Sequence, residues 1–307
     1  MVLLGPTASG KTALSIKLAH ALQTEIISGD SMLVYRGFDI GTAKPTRQEM
    51  AGILHHMVDI LPPDASFNLM DFLTQVKSII TKLNNEGKIP ILAGGTGLYI
   101  QSLLEGYELN QQNEDRDYRL GLERLAQDRG REYVHGLLAQ ANPEAACRLH
   151  PNDLRRVIRA LEVYHLGGSE VSRSKVGQMY DAYVVGLSWE RSALYDRINQ
   201  RVDIMLQQGL QREVRELLAL GVPSSCQAMK GIGYKEILPV VQKEKDSPEF
   251  LAAVDEVKKN SRHFAKRQLT WYRRMPYIHW YQPALYEDIN ALADSMLWDI
   301  RRWLQNK

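Results

Sequence analysis

The feature that most restricts this chain is the octapeptide Gly5-Pro6-Thr7-Ala8-Ser9-Gly10-Lys11-Thr12. It lies between the apolar triplet Val2-Leu3-Leu4 and a stretch from Ala13 to Leu22 with apolar residues at helical spacing. It satisfies G-x-x-x-x-G-K-T without mismatch, and it stands where such a loop must, after a strand and at the start of a helix. The glycines let successive backbone N–H groups turn inward around phosphate oxygens at the positive end of a helix. Lys11 adds a point charge. The Thr12 hydroxyl is the expected ligand for Mg²⁺, which neutralises a diphosphate further. A chance glycine-rich turn explains neither the spacing nor the flanking elements, so the whole loop from Gly5 to Thr12 is expected to bind phosphate.

The rest of the chain extends this into a fold. Glu25-Ile26-Ile27-Ser28 reads as a second strand ending at Gly29-Asp30-Ser31. A helix is expected from Leu69 to about Asn84, then a strand over Ile89–Ala93 closed by Gly94-Gly95-Thr96-Gly97. Strands alternating with helices predict a parallel sheet covered on both faces, whose ligands sit at the carboxyl ends of the strands. All three loops fall there. Residues 111–180 change in texture, being helical, highly charged and broken at Pro143, Pro151 and Gly167-Gly168. Val184–Leu187 reads as a returning strand, followed by amphipathic helices near Arg191–Leu206, Gln211–Leu220 and Pro248–Arg274. The expected architecture is therefore α/β: a P-loop-type parallel sheet core from residues 1–110 and 181–307, plus a helical insertion over 111–180.

Composition narrows the context. With 307 residues the chain can bury a full core, and a formal net charge of +2 leaves nucleic-acid binding to local patches. Two cysteines, Cys147 and Cys226, are too few for a disulfide framework or a four-cysteine zinc site. No apolar run reaches membrane-spanning length, and the apolar opening at Met1–Leu4 leaves no room for a secretion signal. The brevity of that first strand sets the expectation that a few native residues precede it or have been trimmed. A cytoplasmic protein with no membrane association is expected.

Phosphate binding does not name a reaction. An ATP-dependent small-molecule or nucleoside kinase is the default reading of such a loop. A regulatory GTPase is disfavoured, since no N-K-x-D occurs. The strand over Ile89–Ala93 ends in glycines where a metal-binding carboxylate is usual, and the second strand delivers Asp30 instead. That places a carboxylate beside the phosphate cradle, in position to act as a base.

Here the residues become specific. The loop is followed by Ser28-Gly29-Asp30-Ser31-Met32, Asp39-Ile40-Gly41-Thr42-Ala43-Lys44-Pro45, His55-His56 and Gly94-Gly95-Thr96-Gly97-Leu98-Tyr99. Further on come Arg156–Val163, Arg201-Val202-Asp203-x-Met205, Gln227–Glu236 and Arg267-Gln268-Leu269-Thr270-Trp271. This ordered series resembles the bacterial tRNA dimethylallyltransferases and covers essentially the whole chain. The resemblance implies transfer of a dimethylallyl group from dimethylallyl diphosphate to N6 of adenosine 37 beside the tRNA anticodon, by an expected monomer. Eukaryotic relatives add a C-terminal zinc finger, and this chain ends at Lys307 without a Cys/His cluster, as in the short bacterial type.

The chemistry of that reaction gives roles to particular residues, and the resemblance gives the RNA contacts. Lys11, Asp30 and Thr96 are the expected catalytic residues: Lys11 meets the leaving group, Asp30 takes the amine proton, against the alternative that it caps the turn or holds Mg²⁺ through water, and Thr96 orients the base, against ordinary turn chemistry. RNA contacts fall on Asp30, Ser31, Met32, Leu33, Thr96, Arg119, Arg155, Arg156, Val157, Ile158 and Arg159. Lys230 and Lys235 are candidates to reach the diphosphate from its far side.

Two stretches are basic enough to meet RNA phosphates. Residues 258–274 hold seven cationic side chains and no acid, with Trp271 and Tyr272 among them for base stacking. Arg155, Arg156 and Arg159, with Arg148 nearby, lie along one helix side, although Asp153 and Glu162 are close. His55 and His56 are expected to be structural loop residues rather than metal ligands. Trp298 and Trp303 are expected to pack, and Met50, Met57 and Met70 to be core or loop residues.

Overall fold

The computed structural model describes residues 1–107, 115–167 and 177–306. Two compact units emerge, one from Met1–Leu104 with Tyr180–Lys307 and one from Glu105–Met179. The expected boundary at 110/111 and the break at Gly168 lie outside the described residues.

The first unit opens with β1 (Val2–Leu4), α1 (Lys11–Leu22), β2 (Ile26–Ser28), α2 (Arg47–Met50) and β3 (His55–His56). It continues through α3 (Leu69–Asn85), β4 (Ile91–Gly94) and α4 (Gly97–Glu105). After the second unit come β5 (Val184–Leu187), α9 (Arg191–Gln208), α10 (Leu210–Ala219), α11 (Tyr234–Ile237), α12 (Pro248–Tyr272), β6 (His279–Tyr281) and α13 (Ile289–Gln305). Among the described residues the sheet has six strands, all parallel, in the order β3-β2-β4-β1-β5-β6. Strands β1, β2 and β5 are buried along their whole length, as apolar runs in a parallel sheet covered on both faces must be.

Each face has its cover. Leu3, Ile26, Ile91 and Val185 pack with Leu14 and Leu18 of α1 and with Leu292, Met296 and Ile300 of α13. Val2, Ile27 and Leu92 face the other way, where Ile80 of α3 and Leu103 of α4 help them line a cavity of about 280 Å³. The expected core of sheet and helices on both faces is observed.

Local signals explain the helix boundaries. Asn68 and Asp71 form a reciprocal capping box at the start of α3, the Asn68 side chain accepting from Met70 N at 2.8 Å. Gly209, at φ 106°, closes α9 and opens α10 in one residue, a conformation that favours glycine. Ser247 caps α12 ahead of Pro248, whose missing N–H costs nothing at a first turn.

Two expectations need correction, and one strand is new. His55 and His56 form an edge strand, not a loop: their backbone pairs with Ile26 and Ile27, and His56 Nε2 lies 2.7 Å from Glu25, which also accepts from Lys88 at 2.8 Å. Trp298 is 60% exposed, on the outer side of α13, whereas Trp303 packs against the core as expected. Strand β6 was not foreseen, because His279-Trp280-Tyr281 is too short and too polar to show a period.

The second unit holds α5 (Arg116–Arg129), α6 (Arg131–Ala141), α7 (Pro143–Arg148) and α8 (Leu154–His165). Leu122, Val134, Leu138, Val157, Ile158 and Leu161 make its core. Val157 and Ile158, expected to touch RNA, face inward here, 0% and 4% exposed. Their neighbours Arg155 and Arg156 are exposed, as amphipathic spacing dictates.

Candidate active site

The loops after β1, β2 and β4 meet at the carboxyl edge of the sheet. Their approach depends on glycine: a Cβ on Gly94 would lie 2.5 Å from the Gly29 backbone. Side chain and backbone then bind the two turns together. Thr96 N donates to Gly29 O and Ser31 N to Thr96 Oγ1, both at 3.2 Å. Asp30 Oδ1 accepts from Met32 N at 2.8 Å, while Oδ2 takes no hydrogen bond among the described residues. The structure therefore brings Asp30 and Thr96 together as expected, with one carboxylate oxygen fixed and the other free.

The phosphate loop is held from outside by helices that sequence reasoning did not connect to it. Tyr272 donates its hydroxyl to Gly5 O at 3.2 Å and Gly95 O at 2.9 Å. Gln268 accepts from Thr7 N and donates to Gly95 O, each at 2.9 Å. From α9, Arg197 Nε donates to Ala8 O at 2.9 Å and Arg201 Nη1 to Thr7 Oγ1 at 3.2 Å, while Trp189 Nε1 donates to Ser9 O at 3.1 Å. These partners hold Ala8 at φ 62°, a left-handed conformation that is costly for a residue with a Cβ.

This wiring corrects the expectation that the whole loop cradles phosphate. The Thr7 N–H is spent on Gln268, Pro6 has no N–H, and Ser9 N donates to Pro6 O at 3.3 Å. The amides left for an anion are those of Ala8 and Gly10, which take no acceptor among the described residues, and of Lys11, Thr12 and Ala13 at the start of α1, which have no intrahelical acceptor.

Lys11 folds back on its own loop, donating to Pro6 O at 2.8 Å. Burial, then the neighbouring Arg201, push its ammonium down to about 7, against the pull of Asp30. Burial lowers Arg201 as well, opposed by Asp30. A lysine and an arginine, both desolvated and both near one carboxylate, form a cationic pocket without an anion of matching charge. That is the electrostatic signature of a phosphate site.

Other assignments shift. Tyr272 is 0% exposed, so it positions loops and does not stack on bases. Trp271 packs against Gly97, where a Cβ would lie 2.5 Å from the indole, and its buried Nε1 has no acceptor among the described residues. The basic run on α12 is not free of opposing acids: Lys258 pairs with Asp203 at 2.6 Å and Lys259 with Glu256 at 3.0 Å. These carboxylates come from α9 and from the preceding turn of α12, outside the window that was counted. Lys230 is exposed, Lys235 pairs with Glu236 at 3.4 Å, and neither bonds to the phosphate loop.

In the helical unit, Glu162 is 0% exposed and accepts from Arg119 Nη2 and Asp115 N, both at 2.8 Å, and from Arg159. It is an internal anchor for two arginines, not a competing surface charge.

Residues 33–275 match the IPP transferase family. A tRNA dimethylallyltransferase of Alkaliphilus oremlandii is 46% identical over 305 residues, 98% of this chain and 96% of that protein. The chain belongs to this family. The tRNA dimethylallyltransferase of Bacillus anthracis is 49% identical over 284 residues, covering 91% of this chain and 89% of its own. Among solved structures, a Staphylococcus epidermidis tRNA delta(2)-isopentenylpyrophosphate transferase superposes with a TM-score of 0.72 at 43% identity, covering 98% of both chains. A eukaryotic dimethylallyltransferase acting on tRNA gives a TM-score of 0.75 at 28% identity, over 92% of this chain and 73% of its own.

Proposed function

We propose that this protein transfers the dimethylallyl group of dimethylallyl diphosphate to N6 of adenosine 37 in the anticodon loop of tRNA, releasing diphosphate. The observation that carries the reading is the meeting of a desolvated Lys11 and Arg201 with Asp30, whose Oδ2 is free. The cations suit a departing diphosphate. The carboxylate suits a proton that must leave.

The adenine amine is a weak nucleophile, because its lone pair is delocalised into the ring. As N6 bonds to the allylic C1, the C1–O bond breaks and its electron pair goes to the diphosphate. The proton on N6 passes to Asp30 Oδ2. The first-turn amides of α1, Lys11 and Arg201 stabilise the developing charge on the leaving group. Thr96 Oγ1 already accepts from Ser31, which leaves its own O–H to orient the base. Loop bases are partly unstacked, so extruding one is less costly than from a duplex.

Mg²⁺ fits what this site offers. Thr12 is exposed at the mouth of α1, and among the described residues no group of three or more His, Cys, Asp or Glu competes for a metal. A hydroxyl, diphosphate oxygens and water are the ligand set Mg²⁺ favours, and the ion would add charge neutralisation at the leaving group. Arg119, Arg155, Arg156 and Arg159 of the helical unit suit RNA phosphates, while Ser31, Met32 and Leu33 suit the target base. The phosphate loop, Asp30 and both arginine sets belong to one chain, so the reading needs no second copy. We place the reaction in the cytoplasm.

Labelled dimethylallyl diphosphate with unmodified tRNA tests the reading against ATP with small acceptors. Label in RNA, lost by ~10²–10⁴ in rate in Asp30→Ala, is the expected result. Phosphate transfer from ATP, or full-speed prenylation by both Asp30→Ala and Lys11→Ala, would overturn it.

A further inference from the structure

We infer that Glu213, working with Tyr234, is a positioning residue for donor recognition: it fixes the 39–42 turn, whose last carbonyl holds Arg201 against the phosphate loop. The inference rests on the reading of Arg201 as a diphosphate contact.

Glu213 lies on α10 and is 8% exposed. Its Oε2 accepts from Asp39 N at 3.0 Å and Ile40 N at 2.7 Å, and its Oε1 from Gly41 N at 3.2 Å. Tyr234 OH, from α11, donates to the same Oε1 at 2.5 Å. Three consecutive amides converging on one carboxylate make an anion-holding concavity that the protein fills with its own side chain. Tyr234 also closes the turn sterically, since a Cβ on Gly41 would lie 2.5 Å from its ring. Burial, and then Glu213, raise the Tyr234 phenol well above its ordinary range, so it remains the donor in this pair.

A buried carboxylate is an inefficient way to stabilise a core, because desolvation offsets most of what its bonds return. What this one achieves is geometric. The immobilised turn ends at Thr42, whose carbonyl accepts from Arg201 Nη2 at 3.4 Å while Nη1 of the same guanidinium donates to Thr7 Oγ1 at 3.2 Å. Arg201 is thus held at two points, one on the phosphate loop and one on the turn that Glu213 fixes. The segment that carries Tyr234 touches the other side of the site: a Cβ on Gly231 would lie 2.6 Å from Met32 Cε, and Met32 N fixes Asp30.

Titration calorimetry with inorganic diphosphate reads the donor site without requiring turnover. Glu213→Gln should weaken binding about tenfold, near the loss of one charge-assisted hydrogen bond, and leave tRNA binding without donor within about twofold of the parent. Arg201→Gln should weaken diphosphate binding by at least as much, and Glu213→Gln added to it should cost nothing further, since the two act through one guanidinium. Tyr234→Phe keeps the ring and loses a hydroxyl that donates to Glu213 and accepts from Gly41 N at 3.1 Å, so a smaller loss of the same sign is expected, since Gly41 N keeps Glu213 Oε1, and it decides alone if Glu213→Gln does not fold. Unchanged diphosphate affinity in a folded Glu213→Gln, or additive losses in the double variant, would overturn the inference. Should these affinities behave as stated while the parent transfers no prenyl group, the proposed reaction falls and the role of Glu213 stands.

Discussion

Replacing Gln268 with leucine tests whether α12 sets the phosphate loop. Gln268 is 5% exposed and bridges two loops, accepting from Thr7 N and donating to Gly95 O, each at 2.9 Å. Leucine is close in volume, so the change is polar more than steric. The Gly95 bond is worth about 1 kcal/mol, and a half-buried Thr7 N–H left without an acceptor costs roughly 1–3 kcal/mol more. Gly95 O is not stranded, because Tyr272 OH still donates to it at 2.9 Å. The expected destabilisation is about 2–4 kcal/mol, a fall in Tm of roughly 4–16 °C for a unit of this size. Tyr272→Phe leaves Gly5 O without the 3.2 Å bond from its hydroxyl but spares Gly95 through Gln268, so about 1–2 kcal/mol is expected. The double variant strands Gly95 O completely and should exceed the sum of the singles by about 1 kcal/mol. Calorimetric unfolding of the four proteins measures the cycle. An unchanged Tm in Gln268→Leu, or strict additivity, would refute the claim that the two side chains share one carbonyl.

Three further outcomes follow. With burial holding Lys11 down to about 7, its charge fades as pH rises above neutrality, so diphosphate binding should weaken from pH 7 to 9 and take up a proton. Calorimetry in buffers of different ionisation enthalpy reads this, and Lys11→Met should abolish it; the same depression makes the ligand-free fold gain stability as pH climbs from about 7 toward 10.5, because the unfolded chain binds the extra proton. Glu162 is buried, which alone would raise its pKa, yet Arg119, Arg159 and Asp115 N hold it below 4.5. Its contribution is therefore present above 4.5 and lost on further acidification, so Glu162→Gln, which removes a buried partner, should cost the helical unit about 3–5 kcal/mol near neutrality, a deficit that shrinks as pH falls below 4.5 when thermal unfolding followed by helicity is repeated across pH. Arg155→Gln should lower the salt slope of tRNA binding by about one and Arg156→Gln, whose guanidinium lies 3.5 Å from Asp153, by less, whereas Lys258→Gln, already paired with Asp203 at 2.6 Å, should barely change it.

The fold was legible where one local rule decided each element. The triplet Val2-Leu3-Leu4, the loop after it and the run Ile89–Ala93 announced a covered parallel sheet, and β1, β2, β4 and β5 stand where apolar runs placed them. Strands β3 and β6 escaped because each is defined by its neighbour. His55 and His56 become a strand only through pairing with Ile26 and Ile27, and His279 to Tyr281 only through pairing with Val185 to Leu187. Short edge strands carry no period that a window could detect.

The site divides along the same line. Asp30 and Thr96 were readable because each ends a strand in a glycine turn, and parallel topology brings such turns to one edge. Arg197, Arg201, Gln268 and Tyr272 were not, since they lie on helices whose spacing reports amphipathicity but not what the inner face meets. The misreading of Tyr272 is instructive. Beside Arg273 and Arg274 it reads as an RNA-facing aromatic, yet one step around the helix turns it inward, onto the carbonyls of Gly5 and Gly95. A charge count along the chain treats neighbours as sharing a face, whereas a helix separates them by about 100°. Lys258 errs in the same direction, since the acid that neutralises it, Asp203, comes from α9. In a P-loop-type core the loop motif identifies the anion. What reacts with it is decided by helices far along the chain, whose side chains reach the loop from outside and occupy the Thr7 amide while the first turn of α1 stays open to phosphate.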